Sequence, residues 1–152
     1  MDFKEYPDAE MMMMDLADIL ASELKNALLS HDRVTLAVPG GTTPGPIFDS
    51  LCAVNLGWDR VNVMLTDERW VPETSERSNT RLLQQRLLVD KASAATYVPL
   101  YADASTPEEK LPALAAHIAP MLPINVMLLG MGADMHTASI FPEADHLDLA
   151  LT

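Results

Sequence analysis

Three short apolar runs punctuate the chain, at residues 34–38 (VTLAV), 61–65 (VNVML) and 125–129 (NVMLL), and each stops abruptly in a polar or glycine-rich segment. Runs of this length and composition have the signature of strands buried on both faces, so the pattern predicts a parallel α/β sheet. Between them the period becomes helical. Leu16, Leu20, Leu24 and Leu28, with Ile19 and Ala27 beside them, predict a helix from a cap at Asp8 to about Ser30. Ile47, Phe48, Leu51 and Cys52 supply the apolar face of a second helix beginning near Pro44. Leu82, Leu83, Leu87 and Leu88 do the same for a third, capped by Ser78, with Arg77, Arg81 and Arg86 expected to be mostly solvated. A further short strand is expected over residues 96–100. Thr106-Pro107-Glu108-Glu109 has the form of a capping box, starting a helix towards Met121 that Pro112 kinks or restarts.

Composition narrows the class. The 152 residues, 49% hydrophobic and 21% charged, suffice for one domain with one core. The net charge of −12, spread without blocks, argues against nucleic acid or an anionic membrane surface as partner, so an anionic ligand would need local groups to hold it. The single cysteine, Cys52, has no internal disulfide partner, and the amino terminus lacks a signal-peptide layout, so a cytoplasmic protein is expected. No apolar run approaches the ~18 residues of a membrane span. The four methionines at 11–14 cannot share one helix face and read as core filling with exposed overhang. His31, His117 and His146 have no neighbours at metal-ligand spacing, and no metal is expected.

The chemistry lies where the apolar runs end. After residue 38 come Gly40, Gly41, Thr42 and Thr43, a loop offering backbone amides and hydroxyls to a phosphate or sugar oxygen, or simply a tight turn with a helix cap. It lacks the lysine and glycine spacing of a P-loop. After residue 65 come Asp67 and Arg69, suited to a substrate hydroxyl and an anionic group respectively, or to an ion pair stapling the loop. After residue 129 come Asp134 and His136, an imidazole two residues from a carboxylate and thus a candidate for proton transfer. Gly130 and Gly132 do not make a dinucleotide fingerprint, because Met135 stands where the third glycine belongs. Ligands of open α/β sheets bind at the strands' carboxyl edge, so these loops are expected to converge on a small, oxygen-rich substrate.

Three blocks, VPGGTTP at 38–44, TDERWVP at 66–72 with Ser78-Asn79 beyond, and LGMGADMHTASIFP at 129–142, resemble the 6-phosphogluconolactonases, within the wider group that includes glucosamine-6-phosphate deaminases. The resemblance spans most of the chain in the family's order. A glycine commonly stands at the place of Met135. The likeness implies a Rossmann-like, doubly wound, mostly parallel sheet with flanking helices, and a cytoplasmic enzyme hydrolysing 6-phosphoglucono-δ-lactone without an obligatory cofactor. It implies His136 as the catalytic base oriented by Asp134. Gly40, Gly41 and Thr42 would meet the substrate, Asp67 its hydroxyls and Arg69 its phosphate.

Family members continue beyond the point matching Thr152, so the chain is expected to be an incomplete member lacking further strands and phosphate-binding cations. The alternatives are a deaminase or isomerase on the same scaffold, and an inactive sugar-phosphate-binding fragment. An open sheet edge would favour self-association. The form Asp67-Glu68-Arg69-Trp70-Val71-Pro72 follows the lactonase rather than the deaminase pattern.

Overall fold

The computed structural model describes residues 2–151. Its centre is a four-stranded sheet of β1 (Val34–Val38), β2 (Val61–Leu65), β3 (Thr96–Val98) and β4 (Val126–Met127), in the order β3-β2-β1-β4. Every pairing is parallel, and β1 lies alongside β2 from Val34↔Val61 to Val38↔Leu65. Because the chain leaves β1 first to one side and later returns to the other, a topological switch point falls between β1 and β4. That crevice is where open sheets of this kind take their ligands.

All five residues of β1 and all five of β2 are buried, as continuous apolar runs predict for central strands. Val34, Leu36, Val38, Val61, Val63 and Leu65 belong to the main core, with Leu20 and Leu24 of α1 (Ala9–Ser30), Phe48 and Leu51 of α2 (Gly45–Leu51) and Leu83 of α3 (Asn79–Arg86). The alternate residues Ala37 and Met64, with Val98, form a thinner core backed by Ile118 and Met121, at and after the end of α4 (Leu111–Ile118).

Local chemistry sets the ends of α1. The Asp8 carboxylate accepts from the Met11 amide at 2.8 Å, and at the far end Arg60 donates to the carbonyls of Leu28, His31 and Asp32 at 2.9, 2.7 and 2.7 Å. Those carbonyls lie in or just beyond the last turn, where no helical partner is available. A polar seam crosses the thin face. Thr35 and Asn62 are 2% and 4% exposed and stand opposite each other in the register. The Asn62 amide donates to the Thr35 hydroxyl at 3.3 Å, that hydroxyl donates to the Met121 carbonyl at 2.5 Å, and the Thr35 amide donates to the Asn125 side chain at 2.8 Å.

Three expectations need correction. The last apolar run is not a strand buried on both faces: β4 has two residues, with Met127 and Leu129 47% and 52% exposed, because it pairs with β1 alone at the sheet edge. The capping box at Thr106 forms, but it closes a single 3-10 turn, Pro107–Glu109, and α4 restarts with Pro112 in its first turn. Arg86 is not simply solvated: its guanidinium forms an ion pair with Asp49 and lies where a side chain on Gly45 would stand. Among the described residues no helix is long and apolar enough to cross a membrane.

The core predicts its own weak point. Phe48 is fully buried in the core that α2 shares with α1 and the sheet, so Phe48→Ala should cost about 3–5 kcal/mol in urea unfolding. A loss below about 1 kcal/mol would mean that α2 is not packed as described.

Candidate active site

The three loops at the carboxyl ends of β1, β2 and β4 meet in one cleft of about 610 Å³. Gly40, Gly41, Asp67, Arg69 and His136 line it, together with Glu68, Asn79 and Ser139. The apolar part of the lining comes from Met12, Met13 and Leu16 of α1 and from Met131 and Phe141 of the β4 loop. Met12 and Met13 therefore face the cleft, while Met11 and Met14 are exposed.

Loop by loop, the geometry follows from a few residues. In the β1 loop, Gly41 takes a left-handed φ of +79°, a conformation glycine adopts without steric cost. Gly40 lies so close to Asn79 that a Cβ there would come within 2.0 Å of its side chain. After the turn at Gly41, Thr42 is exposed and stands outside the cleft lining, and Thr43 is the threonine that lines it. This departs from the expectation for Thr42.

In the β2 loop the neighbours of Asp67 carry the structure. The Glu68 carboxylate accepts five hydrogen bonds: the amides of Arg69, Asn79 and Thr80 at 2.7, 2.8 and 2.7 Å, and the hydroxyls of Ser78 and Thr80 at 3.1 and 2.6 Å. Burial alone would lift its pKa. The bonds from Thr80, Asn79 and Arg69 outweigh that and hold the carboxyl below the usual glutamate value. With its lone pairs occupied it is a structural anion rather than a proton carrier. The chain continues to Tyr97, whose hydroxyl lies 2.6 Å from that of Thr80 and whose pKa burial pushes up to about 12.

Asp67 and Arg69 are not paired with each other. Asp67 accepts from the Ser139 hydroxyl at 2.8 Å, across the cleft from the β4 loop, and the Arg69 guanidinium donates to the Arg77 carbonyl at 2.9 Å. Trp70 anchors the same loop, its indole donating to the Ala104 carbonyl at 3.0 Å and meeting Tyr101 edge to face.

In the β4 loop, His136 Nδ1 lies 2.5 Å from Asp134 Oδ1, which also accepts from the His136 amide at 3.3 Å. This contact with His136 holds the Asp134 carboxyl below the usual aspartate range. An ionised carboxylate only accepts, so Nδ1 carries the hydrogen, and in the neutral ring Nε2 is the nitrogen with the free lone pair. The ring stacks on Phe141, centroids 4.5 Å apart. Gly132 makes room, because a Cβ there would fall 2.3 Å from the imidazole. Asp134 is itself outside the cleft lining and acts on it through the ring. Met135 takes φ +68°, a left-handed conformation costly for a side chain, which explains in physical terms why glycine suits this place.

Sequence reasoning missed Glu68, Asn79, Ser139 and Phe141. No role was assigned to them, although Glu68 lies inside the second block, Asn79 just beyond it, and Ser139 and Phe141 inside the third. Cys52 is no overlooked nucleophile: it is buried, and burial raises its thiol pKa.

A parallel sheet with its cleft at the switch point, edged by an aspartate-oriented histidine, defines an α/β domain equipped for proton transfer on a small ligand. Residues 7–151 match the family described as glucosamine-6-phosphate isomerases/6-phosphogluconolactonase. The chain is 42% identical over 147 residues to the 6-phosphogluconolactonase of Mesorhizobium japonicum, covering 96% of this chain and 62% of that protein. A crystal structure of a 6-phosphogluconolactonase from Shewanella baltica superposes with a TM-score of 0.94 at 36% identity, covering 99% of this chain and 65% of the other. A monomeric glucosamine-6-phosphate deaminase, 18% identical with a TM-score of 0.78 over 95% of this chain and 61% of its own, shares the fold. The chain belongs to the glucosamine-6-phosphate isomerase/6-phosphogluconolactonase family, and it spans about 62% of the length of the Mesorhizobium relative.

The Glu68 network makes a pH-dependent prediction. A carboxyl whose folded pKa is depressed contributes stability above its unfolded value, near ~4.3, and that contribution disappears as pH falls through the folded value. Glu68→Gln should therefore lose roughly 1–3 kcal/mol at neutral pH, and the gap to the parent should narrow below about pH 4 in urea titrations. A gap independent of pH would show that the charge is not what binds the loop.

Proposed function

We propose that the protein hydrolyses 6-phospho-D-glucono-1,5-lactone to 6-phospho-D-gluconate, with His136 as general base. The observation that carries this reading is the 2.5 Å Asp134–His136 contact on the rim of a cleft shared with Asp67 and Arg69. Family membership and relatives named 6-phosphogluconolactonase support it.

In this mechanism Asp134 holds the Nδ1 hydrogen, and Nε2 removes a proton from a water molecule as its oxygen bonds to the lactone carbonyl carbon. Asp134 stabilises the imidazolium that results. The tetrahedral intermediate then expels the ring oxygen, which takes the proton back from Nε2, and the carboxylic acid product ionises. The Gly40 amide and the Thr43 hydroxyl are the donors offered to substrate oxygens by the β1 loop. Gly41 is not counted among them, because its amide donates to Asn79 at 3.3 Å. Asp67 keeps Oδ1 as an acceptor for a sugar hydroxyl, and Arg69 supplies the charge for the phosphate. The single, buried Cys52 supports placing the reaction in the cytoplasm. No cofactor enters the scheme. The deaminase reading is not favoured, since the segment Arg69-Trp70-Val71-Pro72 follows the lactonase pattern.

His136→Ala should lower lactone hydrolysis by roughly 10²–10⁴-fold, and Asp134→Asn should lower kcat while leaving KM nearly unchanged. Undiminished hydrolysis by His136→Ala would remove the mechanism. Arg69→Ala should raise KM for the phosphorylated lactone and spare unphosphorylated glucono-δ-lactone. Equal losses on the two substrates would make Arg69 only the staple of its loop to the Arg77 carbonyl.

A further inference from the structure

We infer that Asn79 is a positioning residue, a carboxamide clamp setting the distance between the glycine loop after β1 and the Asp67–Arg69 loop after β2. Its role in substrate placement rests on the lactonase reading; its role as a clamp does not. Asn79 is 3% exposed at the first turn of α3, yet it borders the cleft. Its Nδ2 donates to the Asp67 carbonyl at 3.1 Å, its Oδ1 accepts from the Gly41 amide at 3.3 Å, and its own amide donates to Glu68 at 2.8 Å. One side chain thus ties both substrate-facing loops to the helix start. The carboxamide packs so closely on the glycine loop that a Cβ on Gly40 would meet it at 2.0–2.2 Å.

Asn79 touches neither His136 nor Asp134 in any hydrogen bond of the described residues, so the clamp should act on binding geometry rather than on proton transfer. The consequence is a separation of kinetic parameters that general loosening of the fold would not produce.

The test uses Asn79→Asp, which keeps shape and the Oδ1 acceptor but loses the Nδ2 donor, and Asn79→Ala, which loses both. Asn79→Asp should raise KM about ten-fold or more on both 6-phosphogluconolactone and unphosphorylated glucono-δ-lactone, with kcat within about three-fold and the pH profile of kcat unmoved. A rise confined to the phosphorylated lactone would be the added charge alone and would overturn the proposal, as would a fall in kcat at constant KM. Two readouts need no activity. In amide hydrogen exchange, Gly41 should exchange about ten-fold faster in Asn79→Ala and keep its protection in Asn79→Asp. Gly40→Ala should lower Tm steeply in the parent and far less in an Asn79→Ala background, and a Gly40→Ala chain that folds only with Asn79→Ala present gives the same result. Additive Tm losses, or unchanged Gly41 exchange, would overturn the clamp. Should the parent hydrolyse neither lactone, the lactonase reading fails, and the exchange and Tm measurements alone decide the clamp.

Discussion

The cleft depends on a carboxylate that performs no chemistry. Glu68 sits partly buried between the end of β2 and the start of α3, where unsatisfied helix amides converge, and its charge is sustained by the donors it collects there. Leaving such an anion unpaired would be costly, and leaving those amides unpaired would be too. Each requirement satisfies the other. Asp67 and Arg69 flank Glu68 in the chain, so once it is docked their backbone positions are settled before any ligand arrives. In a cleft lined from three loops, this is how a short turn holds its side chains in place.

The same economy recurs around the histidine. Asp134, Gly132 and Phe141 confine the imidazole from one edge, from the side where a Cβ would intrude, and from one face. Its remaining ring nitrogen, Nε2, is the part these contacts leave unengaged. The cleft is not lined by polar groups alone, since α1 brings Met12, Met13 and Leu16 to it. Met12 and Met13 bring adjustable thioether side chains to that lining.

Much of this was legible because it is local. β1 and β2 are short runs, apolar but for Thr35 and Asn62, that end in glycine or charge, and α1 carries a leucine every fourth residue after a capping aspartate, so their places follow from period and punctuation. That Gly40 and Asp67 line the cleft was legible because each lies just past a strand end, and His136 reaches it on the longer glycine-containing loop after β4. The unreadable parts depend on distant approach. Asn79 matters because Gly41, 38 residues earlier, comes within hydrogen-bonding distance of it. Ser139 meets Asp67 over a separation of 72 residues. The exposure of Met127 and Leu129 reflects a position at the sheet edge, which an apolar run cannot announce. Thr42 and Thr43 are adjacent hydroxyls, and only the left-handed turn at Gly41 decides which one the cleft receives.

The seam of Thr35 and Asn62 lies at the far end of the strands from all of this, yet it works as an index mark. An apolar interface between two central strands and their cover tolerates sliding; a hydroxyl and an amide that must find each other, the Met121 carbonyl and Asn125 do not. A slip of one residue between β1 and β2 would carry Gly40 past Asp67 by about 3.3 Å, more than the length of a hydrogen bond. The alignment of the reactive edge is thereby gauged from the opposite rim of the sheet, one strand's length below it.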